Sequence, residues 1–253
     1  MLSIDMNCDM GESSVLWPYS IKKDLELLKY ISSVNIACGF HAGDTDTMRL
    51  LADAAKKSNV AVGAHPSFPD KAHFGRSNME LSQQRVYEIV SQQISLLSDI
   101  VKSVGSKLHH VKPHGALYNM AAEDSMLADV ICRAVKDFDK EMMIYGLSGS
   151  ELIAAAKKTG LIACNEVFAD RTYKEDGRLT PRREPHALIE DADEAVKQVL
   201  EMINKGTVTS ASGKRISIKA ETICIHGDGS HAIELAQKIH HTLLQKGIII
   251  KPG

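Results

Sequence analysis

Val86-Tyr-Glu-Ile-Val-Ser-Gln-Gln-Ile-Ser-Leu-Leu-Ser-Asp-Ile-Val-Lys-Ser-Val104, followed after three residues by Leu108-His-His-Val-Lys112, is the stretch that decides the fold. Val86, Ile89, Val90, Ile94, Leu97, Val101 and Val104 recur at spacings of three and four, which draws one apolar stripe down a helix near 80–104. The short run after it reads as a strand. The same alternation extends in both directions. Strands are predicted at Leu2–Cys8, Val34–Cys38, Val60–Ala64, Leu108–Lys112, Met142–Tyr145, Leu161–Val167 and Thr222–His226, with further helices near 20–31, 45–58, 124–138, 149–159, 190–205 and 230–246. Strand–helix repetition of this kind implies a parallel sheet with crossover helices. Seven units in 253 residues fit a β/α barrel one unit short of eight, or a doubly wound open sheet. Residues 168–189 break the pattern as a long polar stretch with two prolines, and loops of that length in compact domains usually carry function. Residues 206–220 read as a hairpin turning at Gly213. No linker, repeat or low-complexity tract interrupts the chain, so residues 1–253 read as a single domain.

Composition narrows the function. Thirty Lys and Arg against 32 Asp and Glu leave a formal charge of −2, which argues against nucleic-acid binding through phosphate contacts and against a basic membrane surface. The longest uninterrupted apolar run, Leu152 to Ala156, has five residues. A membrane-spanning helix needs about 20, and no signal-peptide core is visible at the N-terminus. Five cysteines (8, 38, 132, 164, 224) without a CxxC predict reduced thiols in a cytoplasmic protein.

Strand parity points to a site. In the first strand Ile4, Met6 and Cys8 take one face, and Asp5, Asn7 and Asp9 take the other. A parallel-sheet strand should be apolar on both faces, and burying three polar groups is costly unless they are paired or bind something. The pattern returns: His65 beyond Gly63, His110 with Lys112 and His114, and His226 with Asp228 beyond Cys224. Any one of these is more often structural than catalytic, as Asp44 is when it caps the helix at Thr45. Repetition at the C-terminal ends of several strands, where β/α sites are built, favours a polar cleft.

Asp5, Asp9, His41, His65, His114, His226 and Asp228 are suitable ligand types for zinc or a similar ion. Their spacing is not diagnostic. His110 and His114 on an extended strand would stand roughly 13 Å apart, too far to share one ion, so the sequence leaves a bound metal open. No phosphate-binding G-x-x-x-x-G-K-[ST], no G-x-G-x-x-G and no G-x-S-x-G is present. Gly39-Phe-His-Ala-Gly43 could present backbone N–H groups to an anion, or could simply be a tight turn.

Eight blocks occur in order: Asp5-Met-Asn-Cys-Asp-Met-Gly-Glu12, Asn35-Ile-Ala-Cys-Gly-Phe-His-Ala-Gly-Asp44, Gly63-Ala-His-Pro-Ser-Phe-Pro-Asp70, Phe74-Gly-Arg76, Val111-Lys-Pro-His-Gly-Ala-Leu-Tyr-Asn119, Glu166-Val-Phe-Ala-Asp-Arg-Thr-Tyr173, Gly177-Arg-Leu-Thr-Pro-Arg182 and Ile223-Cys-Ile-His-Gly-Asp228. On these the chain resembles the LamB/YcsF family over essentially its whole length. It departs from the usual pattern at Ser13–Trp17 and at Gly229-Ser-His231, which bears on loop shape. The resemblance implies a distorted seven-stranded β/α barrel of the glycoside hydrolase/deacetylase type. It also implies an ATP-dependent 5-oxoprolinase reaction, in which 5-oxo-L-proline, ATP and water give L-glutamate, ADP and phosphate. The chain would act as an A-type subunit beside B and C subunits, with ATP as co-substrate, carried by Mg.

That chemistry needs a base, charge stabilisation and a hold on an anionic ring. Asp9 is the leading candidate for general base, with Asp5 as alternative. Lys112 and Arg171 would hold carboxylate or phosphoryl oxygens. His41, His65, His114 and His226 would transfer protons, donate hydrogen bonds or ligate a metal. Glu166 and Asp228 would orient neighbours or coordinate magnesium, and Asn7 and Asn35 would contact substrate. Two other classes compete: a stand-alone metal-dependent deacetylase or amidohydrolase, and a non-catalytic binding subunit. Self-association is left open.

Overall fold

The computed structural model describes residues 2–14, 19–226 and 231–253. Six strands come first: β1 (Ser3–Met10), β2 (Ser33–Ala37), β3 (Ala61–His65), β4 (Leu108–Val111), β5 (Met143–Leu147) and β6 (Ile162–Phe168). A small antiparallel hairpin, β7 (Thr207–Thr209) and β8 (Arg215–Ser217), follows. Then comes β9 (Thr222–His226), which pairs in parallel with both β6 and β1. Among the described residues β1 to β6 and β9 therefore close into a seven-stranded parallel barrel. This selects the barrel over the open sheet. A two-residue β10 (Ile249–Ile250) adds to the early end of β1; it is too short to leave a signal in the sequence.

Helices cover the outside: α1 (Ile21–Leu27), α2 (Thr45–Lys57), α3 (Gln83–Ser103), α4 (Gly115–Ala121), α5 (Ser125–Phe138), α6 (Glu151–Thr159), α7 (Ala192–Lys205) and α8 (Ala232–Gln245). The Ser82 hydroxyl caps α3 by accepting from the Arg85 N–H. The α3 stripe buries Val86, Ile89, Val90, Ile94, Leu97 and Val101, each contributing about 1.5–3 kcal/mol by burial. Asp44 accepts from the Thr47 N–H and caps α2, so its role is structural. The Gly39 and Gly43 N–H groups are used by the carbonyls of Ala42 and Ser13, which makes that segment a turn and not an anion cradle. α4, under two turns long and opened by a glycine, carries no periodic signal. The 168–189 stretch folds back on itself through bridges Arg171–Leu188 and Tyr173–Leu179, around a fully buried Tyr173.

Parity sorts the barrel strands. Ile4, Met6, Cys8 and Met10 pack outward into the main apolar core. Asp5, Asn7 and Asp9 face the lumen, which polar side chains fill in layers through its length and not only at one end. Gly63 lies beside His110 in the β3–β4 register. A Cβ at Gly63 would sit 2.1 Å from His110 Nε2, so only glycine leaves room for that ring inside the barrel.

Candidate active site

The C-terminal ends of the strands open into a cavity of about 620 Å³, within the range of small-molecule sites. Its lining includes Asp9, Glu12, His65, Lys112, His114, Tyr118, Phe168 and His226, with Arg76, Arg171, Arg178, Arg182 and Arg183 towards the rim. Asp228 lies outside the described residues.

Asp5 is elsewhere. Four residues before Asp9, it sits about 13 Å deeper along the strand, sealed from solvent. Three hydroxyls donate to it, from Ser32 at 2.6 Å, Ser33 at 2.7 Å and Thr222 at 2.6 Å. Burial raises its pKa despite these bonds. It anchors the lower lumen, and its place as an alternative base is corrected. Asn7 and Asn35 form the layer above, also beneath the cavity floor. Asn7 Nδ2 donates to Glu166 Oε1 (2.9 Å) and Thr222 Oγ1 (2.7 Å); Asn35 Nδ2 donates to Asn7 Oδ1 (2.7 Å) and Asp9 Oδ1 (2.8 Å). His110 Nε2 lies 2.7 Å from Asn35 Oδ1, and its ring stacks on Tyr145. These amides position the carboxylates from below, which corrects their expected contact with substrate.

Lys112 is the hub. Its Nζ lies 2.9 Å from Asp9 Oδ1, 2.8 Å from Glu166 Oε1, 3.3 Å from Asn7 Oδ1 and 3.1 Å from Cys224 Sγ. Burial would strip its proton, but the Asp9 and Glu166 carboxylates outweigh burial and hold its pKa well above the usual lysine value. Burial likewise works against ionised Asp9, and His65 and Lys112 overcome it, so Asp9 is a carboxylate well below its usual range. Such a carboxylate stabilises charge but is a weak base. Glu166 is fully buried and also accepts from the Tyr118 hydroxyl at 2.7 Å. The ammonium is thus committed to internal carboxylates, a correction to its expected hold on substrate.

Above the hub stands a histidine cluster. His65 Nδ1 faces the Lys112 carbonyl oxygen at 2.7 Å, and His114 Nε2 faces the Phe74 carbonyl oxygen at 2.9 Å. A carbonyl only accepts, so each of those nitrogens carries the proton. The opposite nitrogens, His65 Nε2 and His114 Nδ1, face each other at 2.9 Å. Phe74 takes a left-handed backbone conformation, φ +57°, to turn its carbonyl inward. The next residue, Gly75, packs so close that a Cβ would lie 2.9 Å from His41 Cβ and 3.0 Å from His114 Cδ2. His41 stacks flat on His114, ring centroids 3.8 Å apart, and burial pushes its pKa down to about 3. Glu12 Oε1 lies 3.3 Å from His41 Nε2, 3.2 Å from His114 Nδ1 and 4.0 Å from His65 Nε2. Glu12 is absent from the sequence-derived candidates because it follows β1, where strand parity no longer places a side chain.

His226 faces a different partner. Its Nδ1 is 2.9 Å from both carboxylate oxygens of Asp170, and its ring lies against Phe168. Burial opposes ionised Asp170, but His226 holds its pKa below the usual value. Asp170 is likewise absent from the sequence-derived candidates, although it sits four residues after Glu166 in the same motif. Arg171 donates to the carbonyls of Thr180 (2.5 Å) and Ala187 (3.3 Å), so it holds the 168–189 loop and corrects the expectation of a free anion binder. Arg178 pairs with Glu123 and Asp176. Arg76, Arg182 and Arg183 complete a cationic rim whose members are scattered over separate segments of the sequence. Among the described residues two groups could hold a cation: Asp9 with Cys224 and His226, and Glu12 with His41 and His114.

Fold and site together define a β/α barrel whose mouth couples a carboxylate–lysine floor to a histidine cluster under an arginine rim. The chain belongs to the LamB/YcsF family, whose model matches residues 4–253. The A subunit of 5-oxoprolinase from Tolumonas auensis is 51% identical over 99% of both chains, and that from Shouchella clausii is 53% identical over 100% of this chain and 99% of its own. The crystal structure of the lactam utilization protein from Thermus thermophilus superposes with a TM-score of 0.91 at 40% identity, covering 99% of each chain.

Proposed function

We propose that this chain is the A subunit of an ATP-dependent 5-oxoprolinase, opening the lactam of 5-oxo-L-proline to L-glutamate with B and C subunits. One observation carries the reading: about half of all positions are identical, end to end, with proteins named for that subunit. The cavity is compatible with the chemistry. The arginine rim attracts a carboxylate or phosphoryl group, while the carboxylate-rich floor repels one. An anionic substrate therefore enters with its charged end outward and its amide inward. His226, oriented by Asp170, is the group placed to move a proton at the mouth. Asp9, fixed by Lys112, Asn35 and His65, stabilises positive charge on that histidine or on a protonated leaving nitrogen. ATP and its Mg enter as co-substrate, and the setting is cytoplasmic. Among the described residues no helix is long and apolar enough to cross a membrane.

The test is glutamate release from 5-oxo-L-proline by the chain alone and mixed with B and C subunits, with and without ATP. ATP-dependent release only by the mixture supports the proposal. ATP-independent amide hydrolysis by the chain alone would replace it with a stand-alone amidohydrolase.

A further inference from the structure

The contact between His65 and His114 does not work with two neutral rings. His65 Nδ1 and His114 Nε2 each direct a proton at a backbone carbonyl, at 2.7 and 2.9 Å. On neutral rings the remaining nitrogens, His65 Nε2 and His114 Nδ1, are bare lone pairs. Yet they stand 2.9 Å apart, at the distance of a hydrogen bond. A carboxylate lies at each end of that contact: Asp9 Oδ2 is 3.4 Å from His65 Nε2, and Glu12 Oε1 is 3.2 Å from His114 Nδ1. Burial opposes both charges, but the neighbouring histidines, with Lys112 beside Asp9, hold Asp9 and Glu12 below the usual carboxylate range. Two lone pairs and two anions packed together need a positive charge among them. One metal ion does not supply it. His41 lies on His114 with ring centroids 3.8 Å apart and planes 3° from parallel, so their in-plane lone pairs run side by side and do not converge. A single proton does.

We propose that His65 and His114 share one proton between Nε2 and Nδ1, forming a single buried cation between Asp9 and Glu12, and that this proton is delivered to the lactam nitrogen as it leaves. On His65 the proton faces Asp9, and on His114 it faces Glu12, so it has a counter-ion in either position and belongs to the pair. The surroundings admit one cation and no second. Burial, followed by the charge on His114, pushes the pKa of the stacked His41 down to about 3, and burial holds His110 in the lumen well below the usual histidine value. The Lys112 ammonium is taken up by Asp9 and Glu166, and His226 by Asp170; Arg76 stands at the rim. His65, His114, Asp9 and His226 line the same cavity. Asp9 is common to both sides, with one carboxylate oxygen 3.4 Å from His65 Nε2 and one within 4.8 Å of a His226 ring nitrogen. The site then holds two proton carriers of opposite duty. His226, backed by Asp170, takes a proton from the attacking water. When the C–N bond breaks, its electron pair goes to nitrogen, which takes the shared proton. The pair is left neutral, with its lone pairs opposed, and regains a proton from solvent through the cavity.

Delivery rests on the 5-oxoprolinase reading; the shared proton does not, and it is measured without turnover. The intact chain, with ¹⁵N in its histidine rings and the rings assigned through bonds, is examined by long-range ¹H–¹⁵N NMR at pH 7. His65 Nδ1 and His114 Nε2 should show the shifts of protonated nitrogens. His65 Nε2 and His114 Nδ1 should show intermediate shifts, coupled to one downfield proton. Two bare nitrogens at that contact, or two fully protonated ones, would overturn the proposal. Delivery is tested by glutamate release from the assembled subunits. His114→Gln keeps a donor for the Phe74 carbonyl and removes the nitrogen that shares the proton; His65→Asn does the same opposite the Lys112 carbonyl. Each should lower kcat by about 10²–10⁴-fold and abolish the alkaline limb of the pH–rate profile, where the donor is spent. Parental kcat, or a lower kcat with an unchanged profile, would overturn delivery and leave both histidines structural. If the parent assembly releases no glutamate, delivery falls with the 5-oxoprolinase reading, while the spectrum still decides the shared proton. The spectrum is taken on the wild-type chain, so it decides even if a variant does not fold.

Discussion

Replacing Lys112 with Met removes the only ammonium among the described residues that contacts Asp9 and Glu166, while keeping most of the side-chain volume. The lysine side chain is 3% exposed, Glu166 is 0% exposed and Asp9 is 11% exposed. Glu166 cannot recover its charge stabilisation from bulk water, and Asp9, at the cavity floor, recovers only part of it. Removing one partner of a buried ion pair costs about 3–5 kcal/mol, because a buried charge is left uncompensated. At about 2–4 °C per kcal/mol for a chain near this size, the midpoint of thermal unfolding should fall by roughly 6–20 °C. The sign with pH is fixed. Asp9 is held below its ordinary pKa, so its contribution is present above the unfolded value of 3.8 and is lost as pH falls through the folded one. In Lys112→Met the part of that contribution supplied by the ammonium disappears at neutral pH while His65 still holds Asp9, and protonation relieves the stranded charges. The gap between variant and parent should narrow from pH 7 towards pH 4. Urea unfolding followed by far-UV circular dichroism measures it. A cycle with Glu166→Gln adds the decisive comparison: the double variant should lose less than the sum of the singles by about 0.5–3 kcal/mol. A Lys112→Met midpoint within measurement error of the parent, or strict additivity with Glu166→Gln, would show that no buried charge cluster exists.

Three further outcomes are expected. Asp24, buried and accepting from the Gly11 N–H and the Tyr19 hydroxyl through one oxygen, has its pKa raised by burial from 3.8 to about 6. The folded state therefore binds more protons between those values, and stability should fall by about 3 kcal/mol as pH rises through that window; Asp24→Asn should remove this slope in unfolding experiments from pH 3.5 to 7, and an unchanged slope would assign it to other groups. Gly63→Ala drives a methyl into the His110 ring, and overpacking plus the lost bond to Asn35 should cost about 3 kcal/mol or more; a variant with parental stability would mean that the β3–β4 register is wrong. Asp170→Asn should keep the fold but lower ATP-dependent glutamate release by the assembled subunits by about 10²–10⁴-fold, with an altered pH–rate profile, because His226 loses the carboxylate that fixes its tautomer; undiminished release would remove His226 from the proton-transfer role.

The barrel is legible in the sequence because two periods coexist in the chain. The three-and-four spacing of α3 marks the helices, and the two-residue alternation of β1 shows one polar face. Closure is not legible, since no local signal says that β9 returns to β1. Only the register of Asp5 with Thr222 through Asp9 with His226 shows it. Closure also changes what the polar face means. On an open sheet Asp5, Asn7 and Asp9 would all meet one cleft. In a closed lumen they occupy successive depths, and only Asp9 reaches the cavity. Depth explains the other misassignments too. Lys112 reads as a substrate contact because its strand ends at Pro113, but the tight exit turns it inward onto Glu166. Asp170 and Glu12 lie in connections beyond the strand ends, where parity no longer predicts direction.

The charges that the fold gathers account for how the mouth works as a whole. Asp9, Glu12, Glu166 and Asp170 converge below the opening, and Lys112 is the one lysine in contact with them among the described residues. The floor is therefore electronegative, and its histidines are needed to keep the carboxylates apart. The rim carries Arg76, Arg178, Arg182 and Arg183, so the potential reverses sign from floor to opening. A neutral amide can approach the floor; a carboxylate or phosphoryl group is held at the rim. On the proposed function, that reversal would orient a lactam bearing one carboxylate without a dedicated clamp.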